Sequence, residues 1–175
     1  MTTTLGLSFV LMNAQVTINP GTQVPISNHS ISLQFYGSDY KGLVLPYVKE
    51  ADADIGGAER GTFILDPESQ SVKFKLASGN WFDLSGDASK QTLVSTTIQD
   101  DKTENMEATV IIGENTSVNT PGILVLSDSN KAMVLPKVPN PELNIVNPAA
   151  GMLVFDSQNK MLAVFNGSQW SFWKP

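Results

Sequence analysis

Cysteine is absent from this chain of 175 residues, and histidine occurs once. Without cysteine, neither disulfide bonds nor thiolate metal sites can stabilise the fold. One histidine is too few for a histidine-based metal cluster. That residue, His29, lies in the polar segment Ser27–Ser30, so we interpret it as a surface residue rather than the base of a nucleophilic triad.

Positive charge is also scarce, with 11 Lys and Arg against 17 Asp and Glu, a net charge of −6 and a pI of about 4.6. Nucleic-acid binding draws on clustered basic residues. The lysines here are scattered and the only arginine is Arg60. We therefore expect no nucleic-acid partner.

The apolar run Leu5–Met12 is too short to cross a bilayer as a helix. In one interpretation, residues 1–15 form a signal peptide, although Met1–Thr4 lacks the usual Lys or Arg. In the other, the run is a buried first strand. In a variant of this interpretation, the apolar stretch Leu5–Ile18 stays in the protein and inserts into a neighbouring copy as a donor strand. Its apolar face would then carry Leu5, Leu7, Phe9 and Leu11.

Two segments recur at one fixed distance. Lys41–Pro46 returns as Lys131–Pro136, and Gly61–Asp66 returns as Gly151–Asp156; both shifts are 90 (131 − 41 and 151 − 61). Two matches at one shift indicate an internal duplication. With small gaps it extends to further pairs: Trp81 with Trp170, Leu33–Tyr36 with Ile123–Leu126, and Val16–Ile18 with Val110–Ile112.

The duplication predicts two related modules, at residues 16–84 and 110–175, joined by a polar linker at 85–109. Each module is close to the lower size limit for folding alone. We therefore expect the modules to pack on each other or on other subunits.

Strand signals dominate both modules, and we predict an all-β fold in which each module is a short β-meander with flanking strands. In the first, Val72, Phe74 and Leu76 alternate with Lys73 and Lys75, which predicts an apolar inner face and outward lysines. The second repeats the pattern at Met152–Phe155, Met161–Phe165 and Trp170–Trp173. Proline and glycine predict loops rather than helices at Tyr47–Glu59 and Lys137–Ala150.

No residue set points to catalysis, a metal or a cofactor. Asp52 and Asp54 precede Gly56 and Gly57, but the EF-hand spacing is missing. We interpret them as a solvated acidic turn. A hydrolase that uses only carboxylates stays open as a remote alternative, since it needs two acids that converge in a cleft.

The tryptophans are the better candidates for a binding or assembly surface. Exposed indole rings bind sugar rings and protein partners. Trp81 and Trp170 occupy equivalent positions, so the alternative is that both fill the core. Trp173 has no tryptophan counterpart in the first module and is the one we expect to be exposed. With Leu7, Phe9 and Leu11, these three complete the predicted surface.

The second module carries three characteristic segments, Lys131–Pro136, Pro148–Asp156 and Phe165–Trp170. On these segments the chain resembles exported β-rich proteins of Bacteroidota, whose signal peptides often end as Asn13-Ala14-Gln15 does here. It is also similar to segments of tail-fibre-like and surface-fibre proteins near trimeric stalks. The resemblance implies a secreted or outer-surface location and supplies no catalytic residue.

Together these observations predict a non-catalytic, extracellular or cell-surface structural subunit that self-associates into a fibre, filament or surface assembly. Short strands leave open sheet edges, which further copies of the chain would cover. The alternative function is adhesion, with a glycan or a cell surface as the partner of Trp173 and the variable loops.

Overall fold

The computed structural model describes residues 15–18, 30–36, 40–49, 57–86, 94–97, 102, 108–113, 120 and 122–174. These residues form thirteen short strands and one helical turn, α1 (Pro141–Asn144). The strands are β1 (Val16–Ile18), β2 (Ile31–Phe35), β3 (Leu43–Val44), β4 (Phe63–Asp66), β5 (Ser71–Lys75), β6 (Trp81–Asp83), β7 (Val110–Ile112), β8 (Leu124–Leu126), β9 (Ala132–Val134), β10 (Lys137–Val138), β11 (Met152–Asp156), β12 (Met161–Phe165) and β13 (Trp170–Trp173). The predicted all-β fold is confirmed.

Two antiparallel meanders organise the strands, as expected from the alternating pattern. The first meander is β4-β5-β6, and the second is β11-β12-β13. The first hairpin of each meander contains a residue in the left-handed region, Gln70 (φ 54°) and Lys160 (φ 60°). Such turns close antiparallel strands over a few residues, so the meanders are built from local contacts.

The two meanders share one pairing register. Phe63 lies opposite Phe74 and, ninety residues later, Leu153 lies opposite Val164. The backbone N–H of Leu65 donates to the carbonyl of Pro46, and that of Phe155 donates to the carbonyl of Pro136, at 2.9 Å in both cases. Common descent of the two modules stays an interpretation of this regularity.

Most of the remaining strands pair in parallel, which the short-range patterns did not predict; the exception is β3. β1 pairs β2, and β2 pairs β9 from the second module. β7 and β8 form a separate two-stranded parallel sheet. Val16 lies opposite Leu33, and Val110 lies opposite Leu124. By these pairings, Leu33 occupies the same position as Leu124. The sequence comparison matched Leu33 with Ile123, so it was one residue out of register.

Strand β11 brings the two modules together. On one side it pairs antiparallel with β12. β3, from the first module, pairs antiparallel with Met152 and Leu153, while β10 pairs in parallel with Phe155 and Asp156. A strand that precedes the first meander thus extends the sheet of the second meander.

The larger hydrophobic core lies between the meanders and draws on both. Burial of apolar surface there is the main stabilising contribution. Its buried members are Leu45, Leu65, Val72, Leu84, Leu153 and Val164. A smaller cluster, Val138, Met152, Val154 and Ala163, lies at the second meander. The two meanders therefore pack against each other over the residues that the structure describes.

Two details of the sequence interpretation are wrong. Lys73 does not point outward: it is only 9% exposed, and its ammonium pairs with the carboxylate of Asp66 at 2.9 Å. The alternating pattern predicted an exposed face for the lysines and did not predict this ion pair, because both faces of β5 are covered. The segment Lys137–Ala150 contains strand β10 and α1 rather than loop alone. Pro141 begins the helical turn, where its fixed φ fits and its missing N–H costs nothing.

Candidate assembly surface

The carboxylate of Asp66 fixes the first hairpin of the first meander. It accepts hydrogen bonds from the backbone N–H of Glu68 at 3.0 Å, the hydroxyl of Ser69 at 2.7 Å and the ammonium of Lys73 at 2.9 Å. Burial by itself raises the pKa of Asp66, but the hydrogen bonds from Lys73, Ser69 and Glu68 outweigh it, and the pKa is lowered. The ionised form of Asp66 therefore stabilises this turn.

Asp156 does the same in the second meander, without a lysine. Its side chain is fully buried and accepts backbone N–H groups of Asn140 (3.2 Å), Gln158 (2.9 Å) and Asn159 (3.1 Å). The side-chain amide of Asn159 also donates to it at 2.7 Å. Burial raises the pKa of Asp156, yet these bonds more than compensate, and the pKa is lowered.

The bond from Asn140 to Asp156 anchors the segment 139–148, which we call the proline loop. It contains Pro139, Pro141 and Pro148. The amide of Asn159 donates to the side-chain oxygen of Asn140 at 3.1 Å, and the amide of Asn144 donates to the carbonyl of Pro139 at 2.6 Å. Proline rings and these bonds hold the loop in one conformation.

Two apolar side chains project from the proline loop. Leu143 is 75% exposed and Val146 is 83% exposed, the highest values among the exposed large hydrophobic residues of the described chain. Ile145, between them, packs instead against the smaller core cluster. The loop therefore packs one half-buried apolar side chain against the core and presents two others to solvent.

A depression of about 450 Å³ adjoins the proline loop. Its walls come from the loop, from the segment before β3 and from β11; they are lined by Tyr40, Lys41, Gly42, Asn144, Ile145, Val146, Asn147 and Met152. A Cβ at Gly42 would lie 2.8 Å from the sulfur of Met152 and 2.8 Å from a methyl group of Val154. Only glycine lets the backbone approach β11 this closely.

The third strands of the two meanders contact each other. The indole N–H of Trp173 donates to the carbonyl of Leu84 at 2.8 Å, and its ring meets Phe82 edge-on, with centroids 5.5 Å apart. The hydroxyl of Ser171 donates to the carbonyl of Ser85 at 2.5 Å. Trp173 is 38% exposed, so its ring has an open part while its polar atom is used within the chain.

Trp81 and Trp170 are both half-buried. The ammonium of Lys75 lies 4.7 Å from the ring centroid of Trp81. Trp170 packs on Phe165, with centroids 5.2 Å apart, next to the smaller core cluster. The three tryptophans therefore have different surroundings. Trp173 joins the meanders, Trp170 packs next to the smaller core cluster, and the ring of Trp81 lies under the ammonium of Lys75.

Several predicted positions lie outside the described residues: Leu5, Leu7, Phe9, Leu11, His29, Asp52 and Asp54. Within the described part of the chain, no three His, Cys, Asp or Glu side chains gather in a way that would hold a metal ion. Leu143 and Val146 were missed by the sequence interpretation. One feature of the sequence could have identified them: both are apolar residues in a proline-rich segment, and that segment has neither strand nor helix periodicity.

Residues 111–174 match the family model described as the phage tail like trimerisation region. The match includes β8 to β13, the proline loop and the second meander. No curated protein and no solved structure matches the chain. No helix in the described residues has the length and apolar character needed to span a membrane. The matched family supports similarity to tail-fibre-like proteins and a structural, self-associating role.

Proposed function

We propose that this chain is a non-catalytic structural subunit that assembles with two further copies of itself into a trimer, as part of an extracellular or cell-surface fibre. The observation that carries the proposal is the match of residues 111–174 to a trimerisation region of phage tail type. That similarity favours a self-association role over an enzymatic one.

The open parallel strands supply a physical motive for assembly. Parallel sheets normally have both faces covered, and an isolated pair of strands is marginal in water. In the β7–β8 pair, however, Val110 is 56% exposed and Leu124 is 41% exposed. Further copies of the chain would cover this apolar surface and the unpaired strand edges.

The parallel direction of these strands also suits a trimer. Rotation about a threefold axis parallel to a strand keeps the strand direction, so symmetry-related strands run parallel. A twofold axis perpendicular to the strand reverses it. Head-to-tail contacts between identical chains close into a ring when the rotation from one copy to the next is a whole fraction of a turn, as in a trimer.

The test is the molar mass of the purified full chain across a concentration series, by light scattering and sedimentation equilibrium. A trimer has about three times the chain mass of 18.9 kDa. A single species of 18.9 kDa at all concentrations would contradict the proposal. Intact-mass measurement of exported protein separately tests whether residues 1–15 are removed.

An adhesion role has less support. The indole N–H of Trp173, which a sugar hydroxyl would use, already donates to Leu84. The ring of Trp173 also contacts Phe82, which is 41% exposed. A glycan array with the full chain, and with Trp173→Ala, distinguishes this function from a purely structural one.

A further inference from the structure

Leu143 and Val146 form the most exposed apolar pair that the described chain presents. Single exposed apolar residues are ordinary on protein surfaces. These two differ because they lie three residues apart on one loop and because that loop is held firmly. Flexible loops lose entropy when they bind a partner, whereas a fixed loop does not.

The hydrogen bonds of the proline loop are what fix the pair. The backbone N–H of Leu143 donates to the carbonyl of Asn140 at 2.9 Å, and that of Ile145 donates to the carbonyl of Pro141 at 3.0 Å. Asn140 is in turn bound to the buried carboxylate of Asp156. The half-buried side chain of Ile145 packs against the smaller core cluster and anchors the loop there. The loop is therefore pre-organised to present two apolar anchors.

We propose that Leu143 and Val146 are the anchors by which one copy of this chain binds the next. The inference rests on the proposed self-association and names the surface that carries it. Its occupant is a further copy because the whole proline loop lies within residues 111–174, the part that matches a trimerisation region. Apolar anchors of this kind carry much of the binding free energy in protein interfaces.

The depression beside the loop supplies the receiving surface. In a ring of three identical chains, each copy projects one surface and receives with another. Where the contact lies close to the threefold axis, the projecting surface and the receiving surface of one copy are adjacent. Here Val146 both projects and lines the depression of about 450 Å³, whose walls also include Tyr40 and Met152. The anchors of the neighbouring copy bind in this depression.

The experiment compares the full chain with Leu143→Ser/Val146→Ser by sedimentation equilibrium. The control is Tyr36→Ser, which removes an aromatic side chain that is 49% exposed and lies outside both the proline loop and the β7–β8 pair. Ile123→Ser, next to β8 and 58% exposed, tests the competing contact at β7–β8. We expect the double variant to associate at least about a hundredfold more weakly, while the control remains trimeric. Leu143→Lys, which keeps helix propensity, should dissociate similarly.

Circular dichroism and thermal unfolding of the dissociated variants establish that the monomer still folds, as expected for changes at exposed positions. A double variant that trimerises like the unaltered chain would overturn the surface assignment. If Ile123→Ser dissociates while the double variant remains trimeric, the surface assignment is also overturned. The contact would then lie at β7–β8, and the proposed self-association would still stand. An unaltered chain that is monomeric throughout would instead refute the proposed function.

Discussion

The indole nitrogen of Trp173 lies 2.8 Å from the carbonyl oxygen of Leu84 and donates a hydrogen bond to it. Leu84 follows β6, and Trp173 ends β13, so this bond joins the last strands of the two meanders. Leu84 belongs to the core that the two meanders share. The bond is therefore one of the contacts that hold two small meanders together as one unit.

Replacing Trp173 tests that connection. Trp173→Phe keeps an aromatic ring against Phe82 but removes the N–H donor, and we expect the free energy of unfolding to fall by about 1 kcal/mol. Trp173→Ala also removes the ring and should cost about 3 kcal/mol. Urea unfolding measures both values. Equal stability of Trp173→Phe and the unaltered chain would show that the hydrogen bond contributes nothing.

The close approach of Gly42 to β11 predicts a severe effect of one methyl group. In Gly42→Ala the new Cβ would meet Met152 and Val154 at 2.8 Å, so β3 must shift away from β11. We expect a loss of about 1–3 kcal/mol. The control is Gly57→Ala, where nothing lies within 4 Å of the added Cβ. Thermal unfolding of both variants is the measurement, and similar midpoints would contradict the predicted clash.

The buried carboxylate of Asp156 predicts acid sensitivity. Its pKa is lowered in the folded chain, so its contribution is fully present above the unfolded pKa of about 3.9. The contribution is lost as the pH falls through the folded pKa. Asp156→Asn should cost about 2 kcal/mol at pH 7, and the difference from the unaltered chain should shrink below about pH 4.

The measurement for Asp156 is urea unfolding between pH 7 and pH 2.5. Glu142→Gln, at an exposed carboxylate on α1, is the control and should leave stability nearly unchanged. A gap between Asp156→Asn and the unaltered chain that stays constant with pH would show that ionisation of Asp156 does not stabilise the fold.

The ion pair between Lys73 and Asp66 predicts a large cost for removing one partner alone. Lys73→Met leaves a buried carboxylate without its cation, and we expect a loss of about 3 kcal/mol. The double variant Lys73→Met/Asp66→Asn should recover part of that loss, since no buried charge remains. A double-mutant cycle from urea unfolding measures the coupling, and additive losses would argue against a direct interaction.

Much of the fold was predictable from local patterns. Alternation and turn residues predicted the strands of both meanders, because strand period and hairpin chemistry act over a few residues. Trp81 opposite Lys75 and Trp170 opposite Phe165 agree with the predicted one-residue gap before the third strand. Lys73 was misplaced because alternation reports which face a side chain is on and cannot tell whether that face is covered.

The candidate site was less predictable. The tryptophans were chosen as candidates by residue type, with a core role left open for Trp81 and Trp170 and exposure expected for Trp173. The structure gives each a different set of neighbours. Leu143 and Val146 carry no periodic signal. Their exposure depends on Ile145 turning inward and on Asp156, sixteen residues after Asn140, accepting the N–H that fixes the loop.

By itself, the sequence determined the β class, the two meanders and the absence of thiolate chemistry, because composition, period and turn residues act locally. Tertiary structure alone decided that β3 joins β11, that β2 pairs β9 and that Trp173 reaches Leu84. These contacts join residues roughly 90 to 110 positions apart. Their partners are selected by shared burial and by backbone groups that must find hydrogen bonds, and neither condition is visible in any short window of the chain.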